Sequence, residues 1–278
     1  MKAISIFLVS LLIVASSYSQ NRLFIATGAR STVFMPDSTT VPNQESTPTF
    51  MPDGKTVYLA NNGAICVCKK VGDHWTKPLP ISFTGQYKDW DPTLTPDGKR
   101  LLFVSNRPYI ASDGSTKKGN HLWISQIMDG KWSEPKHLDS PINEAAFVNY
   151  GPSISASGTI CFCSRDRYGN KGMHAYLCRW ADDHYEKPQL LVLNGNEQVY
   201  DPYIAPDERY ILFSSDSALF ISYHTNQGWS PGKKLGPQVN DAAKAGMLWG
   251  PSISRDGKTL YYNGGTVDGI EMIPVQWK

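Results

Sequence analysis

Residues 90–104 read WDPTLTPDGKRLLFV. An anchor proline (Pro92), a short aliphatic stretch, a Pro-Asp-Gly turn and a run of large apolar residues follow one another. Proline is tolerated at the first residue of a strand. Asp-Gly between apolar runs is a strong hairpin signal, so the segment predicts two antiparallel strands. The segment recurs, and that recurrence decides the fold. STPTFMPDGKTVYLA stands at 46–60, YGPSISASGTICFCS at 150–164, YDPYIAPDERYILFS at 200–214 and WGPSISRDGKTLYYN at 249–263. The anchor prolines Pro48, Pro92, Pro152, Pro202 and Pro251 lie 44, 60, 50 and 49 residues apart.

Each copy continues in the same way. A third strand is predicted at AICVCKK (64–70), HLWISQI (121–127), HAYLCRW (174–180), ALFISYH (218–224) and GIEMIPVQW (269–277). An aromatic-x-x-Pro-like element then opens a fourth, outer strand: HWTKPLPI (74–81), KWSEPKHL (131–138), HYEKPQLL (184–191) and GWSPGKKL (228–235). Four antiparallel strands per repeat of this length make the blade of a β-propeller. The fifth copy stops at its third strand. The spare segment RLFIATGARSTVFMP (22–36) is expected to supply the missing outer strand and close the ring. The fold class is therefore all-β, a propeller of five four-stranded blades; a sixth would need more strands than residues 22–44 can supply.

These motifs resemble the TolB-like propeller repeat, with its Pro-Asp signature. SNRP (105–108), SRDR (164–167), WSEPKHLDSPIN (132–143) and WSPGKKLGPQVN (229–240) extend the resemblance, which covers about residues 40–278. Copy three departs from it with Ala156-Ser157-Gly158, and copy four with Glu208 in place of glycine. The resemblance implies an exported bacterial protein that binds other proteins of the cell envelope.

The N-terminus agrees with export. MKAISIFLVSLLIVASSYSQ carries Lys2, a short apolar run and then small residues. This is the layout of a signal peptide with cleavage before Gln20. No cysteine lies near that point, so a lipoprotein is not expected, and no later segment reaches eighteen apolar residues. Residues 20–278 are expected to form one propeller domain, periplasmic or secreted, and monomeric. With a net charge of +2 there is no field to gather nucleic acid or an anionic membrane. No cofactor and no metal motif is read.

Five cysteines follow the signal: Cys66, Cys68, Cys161, Cys163 and Cys178. They are read as small buried apolar residues, with a cross-strand Cys161–Cys178 or Cys163–Cys178 disulfide as the alternative.

Propeller topology sorts the loops into two faces. The Pro-Asp-Gly turns share one face, where Asp53, Asp97, Asp207 and Asp256 are expected to bond their own turns. The opposite face collects the positions before each anchor proline. Two before it stand Ser46, Trp90, Tyr150, Tyr200 and Trp249; one before it stand Thr47, Asp91, Gly151, Asp201 and Gly250. Loops between second and third strands add Arg107, Arg165, Arg167 and Asp216, and the longest spans 106–121. Flat amphipathic rings and guanidinium groups suit a glycan or a peptide. The candidate ligand-binding set is Trp90, Asp91, Arg107, Tyr150, Arg165, Tyr200, Asp201 and Trp249. The competing reading is that the aromatics pack blade against blade.

The expected function is non-catalytic binding of an envelope protein or glycan. The alternative is a carbohydrate-active enzyme with carboxylates Glu45, Asp91 and Asp201 at the channel mouth, one as acid and one as base or nucleophile. His74, His121, His137, His174, His184 and His224 sit mostly on outer strands or loops, where a lone histidine is read as solvated, and no Ser/His/Asp constellation is evident.

Overall fold

In the computed structural model, the described residues are 21–34, 48–193, 195, 198–240, 246–264 and 269–278. They form a five-bladed propeller. Blade 2 shows the pattern. Its strands Asp89–Leu94, Arg100–Ser105 and His121–Met128 pair antiparallel in sequence order. The outer strand is broken at Pro135 into Lys131–Trp132 and Lys136–His137, both paired with the third strand. Proline lacks the N–H that a continuous strand would need there.

The ring closes as the sequence predicts. Thr32–Val33 pairs with Ile270–Pro274, giving blade 5 its fourth strand, and Leu23–Phe24 pairs with Gln276–Trp277 at the C-terminus. The core divides into five clusters, one at each seam between blades. The closing seam packs Phe34, Tyr261 and Ile270 of blade 5 against Phe50, Val57, Leu59, Cys66 and Cys68 of blade 1. Each second strand is buried on both faces, which is why LLFV and YILF show no polar alternation.

The four predicted turn aspartates bond their own hairpins. Asp53 accepts from Lys55 N at 2.8 Å, Asp97 from Lys99 N at 3.0 Å, Asp207 from Arg209 N at 3.2 Å and Asp256 from Lys258 N at 3.1 Å. The next residue is left-handed: Gly54, Gly98, Glu208 and Gly257 have φ of 63°, 71°, 58° and 73°. The Pro-Asp-Gly stretch is thus a hairpin corner.

Hydroxyls just after the anchor proline stitch neighbouring first strands together. Thr49 Oγ1 accepts from Leu94 N at 3.0 Å, Ser153 Oγ accepts from Ile204 N at 2.9 Å, and Ser252 Oγ donates to Pro48 O at 3.4 Å. Asn143 and Asn240, which end the extended outer-strand motifs, pair with Leu122 and Leu219 through side-chain amides, as a strand residue would through its backbone.

All five cysteines are free and buried, and burial raises their thiol pKa values. One expectation about histidine is corrected. His121 is buried, 2.8 Å from His137 between ring nitrogens, with Tyr109 stacked on His137. Burial, with the His137 ring beside it, pushes the His121 pKa down to about 4.

Candidate functional site

Each described residue that precedes an anchor proline is left-handed: Asp91, Gly151, Asp201 and Gly250 have φ of 48°, 52°, 46° and 58°. Each marks a β-bulge, seen as a register shift between the first two strands of blades 2 to 5. Only glycine, and less readily aspartate or asparagine, takes this conformation without strain. That restriction explains the alternation Asp, Gly, Asp, Gly around the ring.

The alternation also pairs neighbours. Asp91 Oδ2 accepts from Gly151 N at 3.0 Å, and Asp201 Oδ2 accepts from Gly250 N at 3.2 Å. A carboxylate of one blade therefore holds the backbone of the next. Glycine is required at the receiving position for a second reason. A Cβ on Gly151 would lie 2.9 Å from both Asp201 Cα and Asp201 Oδ1.

Asp91, Asp201 and Trp249 line a central cavity of about 80 Å³. Its walls are the first strands. At the end carrying the Pro-Asp-Gly turns, Arg255 reaches Phe50 O at 2.7 Å through Nε and Thr95 O at 3.1 Å through Nη2. Arg255 thereby joins blade 5 to blades 1 and 2. It occupies the place held by Pro52, Pro96 and Pro206 in other copies, a departure visible in the sequence. Burial pushes the Asp201 carboxyl up to about 6, against the Gly250 N–H, which favours its charged form.

The predicted rim is only partly assembled. Of the four aromatics, Trp249 alone lines the cavity. Trp90 and Tyr150 pack against the core between blades 2 and 3, and Asn120 donates to the Tyr150 hydroxyl at 2.6 Å. The Tyr200 hydroxyl bonds Gln198 at 2.8 Å. The bulge aims the residue before each proline at the axis, so Asp91, Gly151, Asp201 and Gly250 all line the cavity.

Arg107 is also elsewhere than expected. It is 7% exposed, and its Nη2 reaches both Asp89 oxygens at 2.8 and 2.9 Å. The rings of Phe83, Tyr87, Phe103 and Trp123 surround the guanidinium. Arg167 is likewise buried, bonded to Glu144 and the carbonyls of Pro141 and Ile142. Arg165 is exposed on the loop face, and Glu45 lies outside the described residues. The partners the sequence reading missed are the Gly151 and Gly250 amides; the Asp/Gly alternation was their signal.

No family model matches the chain, and no curated protein matches it. Among solved structures it resembles an endo-arabinase from Bacteroides thetaiotaomicron at 17% identity, over 89% of this chain and 98% of that one, TM-score 0.57. A protein assigned as TolB from Agrobacterium tumefaciens aligns at 16% identity over 90% and 89%, TM-score 0.54. A protein of unknown function from Dyadobacter fermentans aligns at 14% over 92% and 99%, TM-score 0.51. At these identities the likeness is one of fold.

Proposed function

We propose that the chain is an exported binding module that takes an envelope protein or glycan at the channel mouth, on the face of Asp91, Asp201 and Trp249. The observation that carries this reading is the commitment of both aspartates to backbone amides of the following blade. An acid–base pair needs carboxylates facing a substrate. Here each is part of the ring's stitching. The cavity below them, about 80 Å³, has room for a few waters and no sugar ring, so a ligand rests on the mouth. Trp249 offers a ring there, and exposed Arg165 offers a guanidinium on the same face.

One observation favours the enzyme reading: a carboxyl raised to about 6 beside a cavity is the kind of group that serves as an acid. The endo-arabinase likeness is compatible with it.

The test is capture from a glycan array and an envelope extract by the immobilised mature chain, beside Trp249→Ala and Arg165→Ala. Loss of capture in these variants supports the mouth as the binding face. Unchanged capture overturns it. Saccharide release that stops in Asp201→Asn replaces binding with catalysis.

A further inference from the structure

The turn-bearing face, opposite the mouth, holds a cleft of about 870 Å³ at the seam between blades 5 and 1. The repeat itself shows why this seam is open. Tyr58 of blade 1 and Trp132 of blade 2 close the following seam: the rings meet edge to face at 5.6 Å, and the indole Nε1 donates to the Tyr58 hydroxyl at 3.3 Å. Tyr261 and Trp75 occupy the same repeat positions at the seam between blades 5 and 1, yet they do not meet. Phe34, from the N-terminal strand, lies 5.1 Å from Tyr261 and 5.8 Å from Trp75, between ring centroids. Phe50 adds a second wedge, 5.1 Å from Tyr261 and 6.1 Å from Trp75. The other copies carry the smaller Leu94, Ile154, Ile204 and Ile253 at that position. The Tyr261 hydroxyl turns to Thr259. The indole N–H of half-buried Trp75 has no partner among the described residues.

We propose that this cleft is a carbohydrate-binding site for an uncharged glycan. Its volume falls in the range of small-molecule sites, roughly 300–1,000 Å³. The ring of half-buried Trp75, backed by the buried Phe34, Phe50 and Tyr261, offers apolar area for the C–H face of a pyranose, and its N–H is a donor at the edge. Exposed Lys70, Asp73 and His74 stand at the rim with turn residues Asp53 and Asp256. Both signs of charge are present, which suits many weakly polar hydroxyls rather than one ionic group. The site is separate from the channel mouth and does not rest on the reading given for that face.

The experiment titrates the mature chain with neutral malto-, cello- and xylo-oligosaccharides while following the tryptophan indole N–H signals by NMR. The expected result is a saturable shift of the Trp75 signal with at least one series, while the Trp249 signal stays in place. Trp75→Ala should weaken binding by about tenfold or more. The exposed triple variant Lys70→Ala/Asp73→Ala/His74→Ala, which leaves the seam packing intact, should weaken it as well. No shift at Trp75 with any series overturns the proposal. So does a shift at Trp249 without one at Trp75, or a Trp75 shift produced only by a short aromatic peptide such as acetyl-Ala-Trp-Ala-amide.

Discussion

Ser155 Oγ donates a hydrogen bond to Glu208 Oε1 at 2.7 Å, across the seam between blades 3 and 4. Ser157 donates to the same oxygen. The two departures from the repeat, Ser in place of Asp in copy three and Glu in place of Gly in copy four, therefore meet and answer each other. Burial raises the Glu208 pKa, but the hydroxyls of Ser157, Ser155 and Thr159 and the charge of Arg179 outweigh it and hold the carboxyl below its usual value. A double-mutant cycle between Ser155→Ala/Ser157→Ala and Glu208→Ala should show coupling of about 1–2 kcal/mol in urea denaturation. Because the folded pKa is depressed, this stabilisation is present above the unfolded carboxylate range and is lost as pH falls through the folded value.

Asp201 has the opposite sign. Its folded pKa, about 6, lies above the unfolded value of roughly 3.9. Between those values the folded state holds the extra proton, so stability falls as pH rises through the window. The stability of the natural chain relative to Asp201→Asn should decline from about pH 4 to about pH 6 and then level off. Urea midpoints measured across that range check it.

Gly151→Ala places a Cβ 2.9 Å from Asp201 Cα at a φ of 52°. Left-handed strain alone costs about 1–3 kcal/mol, and the contact is with backbone, which cannot swing away. Destabilisation should exceed that of Gly130→Ala, which has a similar φ of 76° but meets nothing within 4 Å. Chemical denaturation of the pair separates strain from contact.

Arg107→Ala leaves the fully buried Asp89 carboxylate without its guanidinium. Breaking a buried ion pair costs about 3–5 kcal/mol. The short hairpin Tyr109–Ile110 with Thr116–Lys117, which begins two residues later, should become sensitive to protease in this variant. Arg107→Lys should restore only part of the loss, because an ammonium cannot reproduce the fork that spans Asp89 and Ser105.

The five thiols offer a check on closure of the ring. All are buried with raised pKa values, so a thiol reagent at neutral pH should find none in the folded protein and five after denaturation. Rapid labelling of Cys66 and Cys68 alone would show that the seam between blades 5 and 1 opens before the others.

The repeat period, the hairpin corners, the turn-bonding aspartates and the closing N-terminal strand were all legible in the sequence. Each depends on residues close along the chain, or on a strand count that leaves one place empty. Turn chemistry and strand alternation act locally, so they survive into the fold unchanged. What the sequence could not show is which side chains face each other across a seam. Trp90, Tyr150, Tyr200 and Trp249 share one repeat position, yet only Trp249 reaches the cavity. Arg107 looked like a loop residue poised for a ligand, and Asp89 draws it inward.

The sequence by itself thus determined the blade, its number and the way the ring closes, because period and turn are properties of neighbouring residues. The tertiary structure alone decided that Asp91 and Asp201 hold the Gly151 and Gly250 amides, and that Phe34 and Phe50 part Tyr261 from Trp75. Those contacts join residues 25 to 227 positions apart. They exist only once the twist of each blade and the bulge before each proline have set where the side chains point.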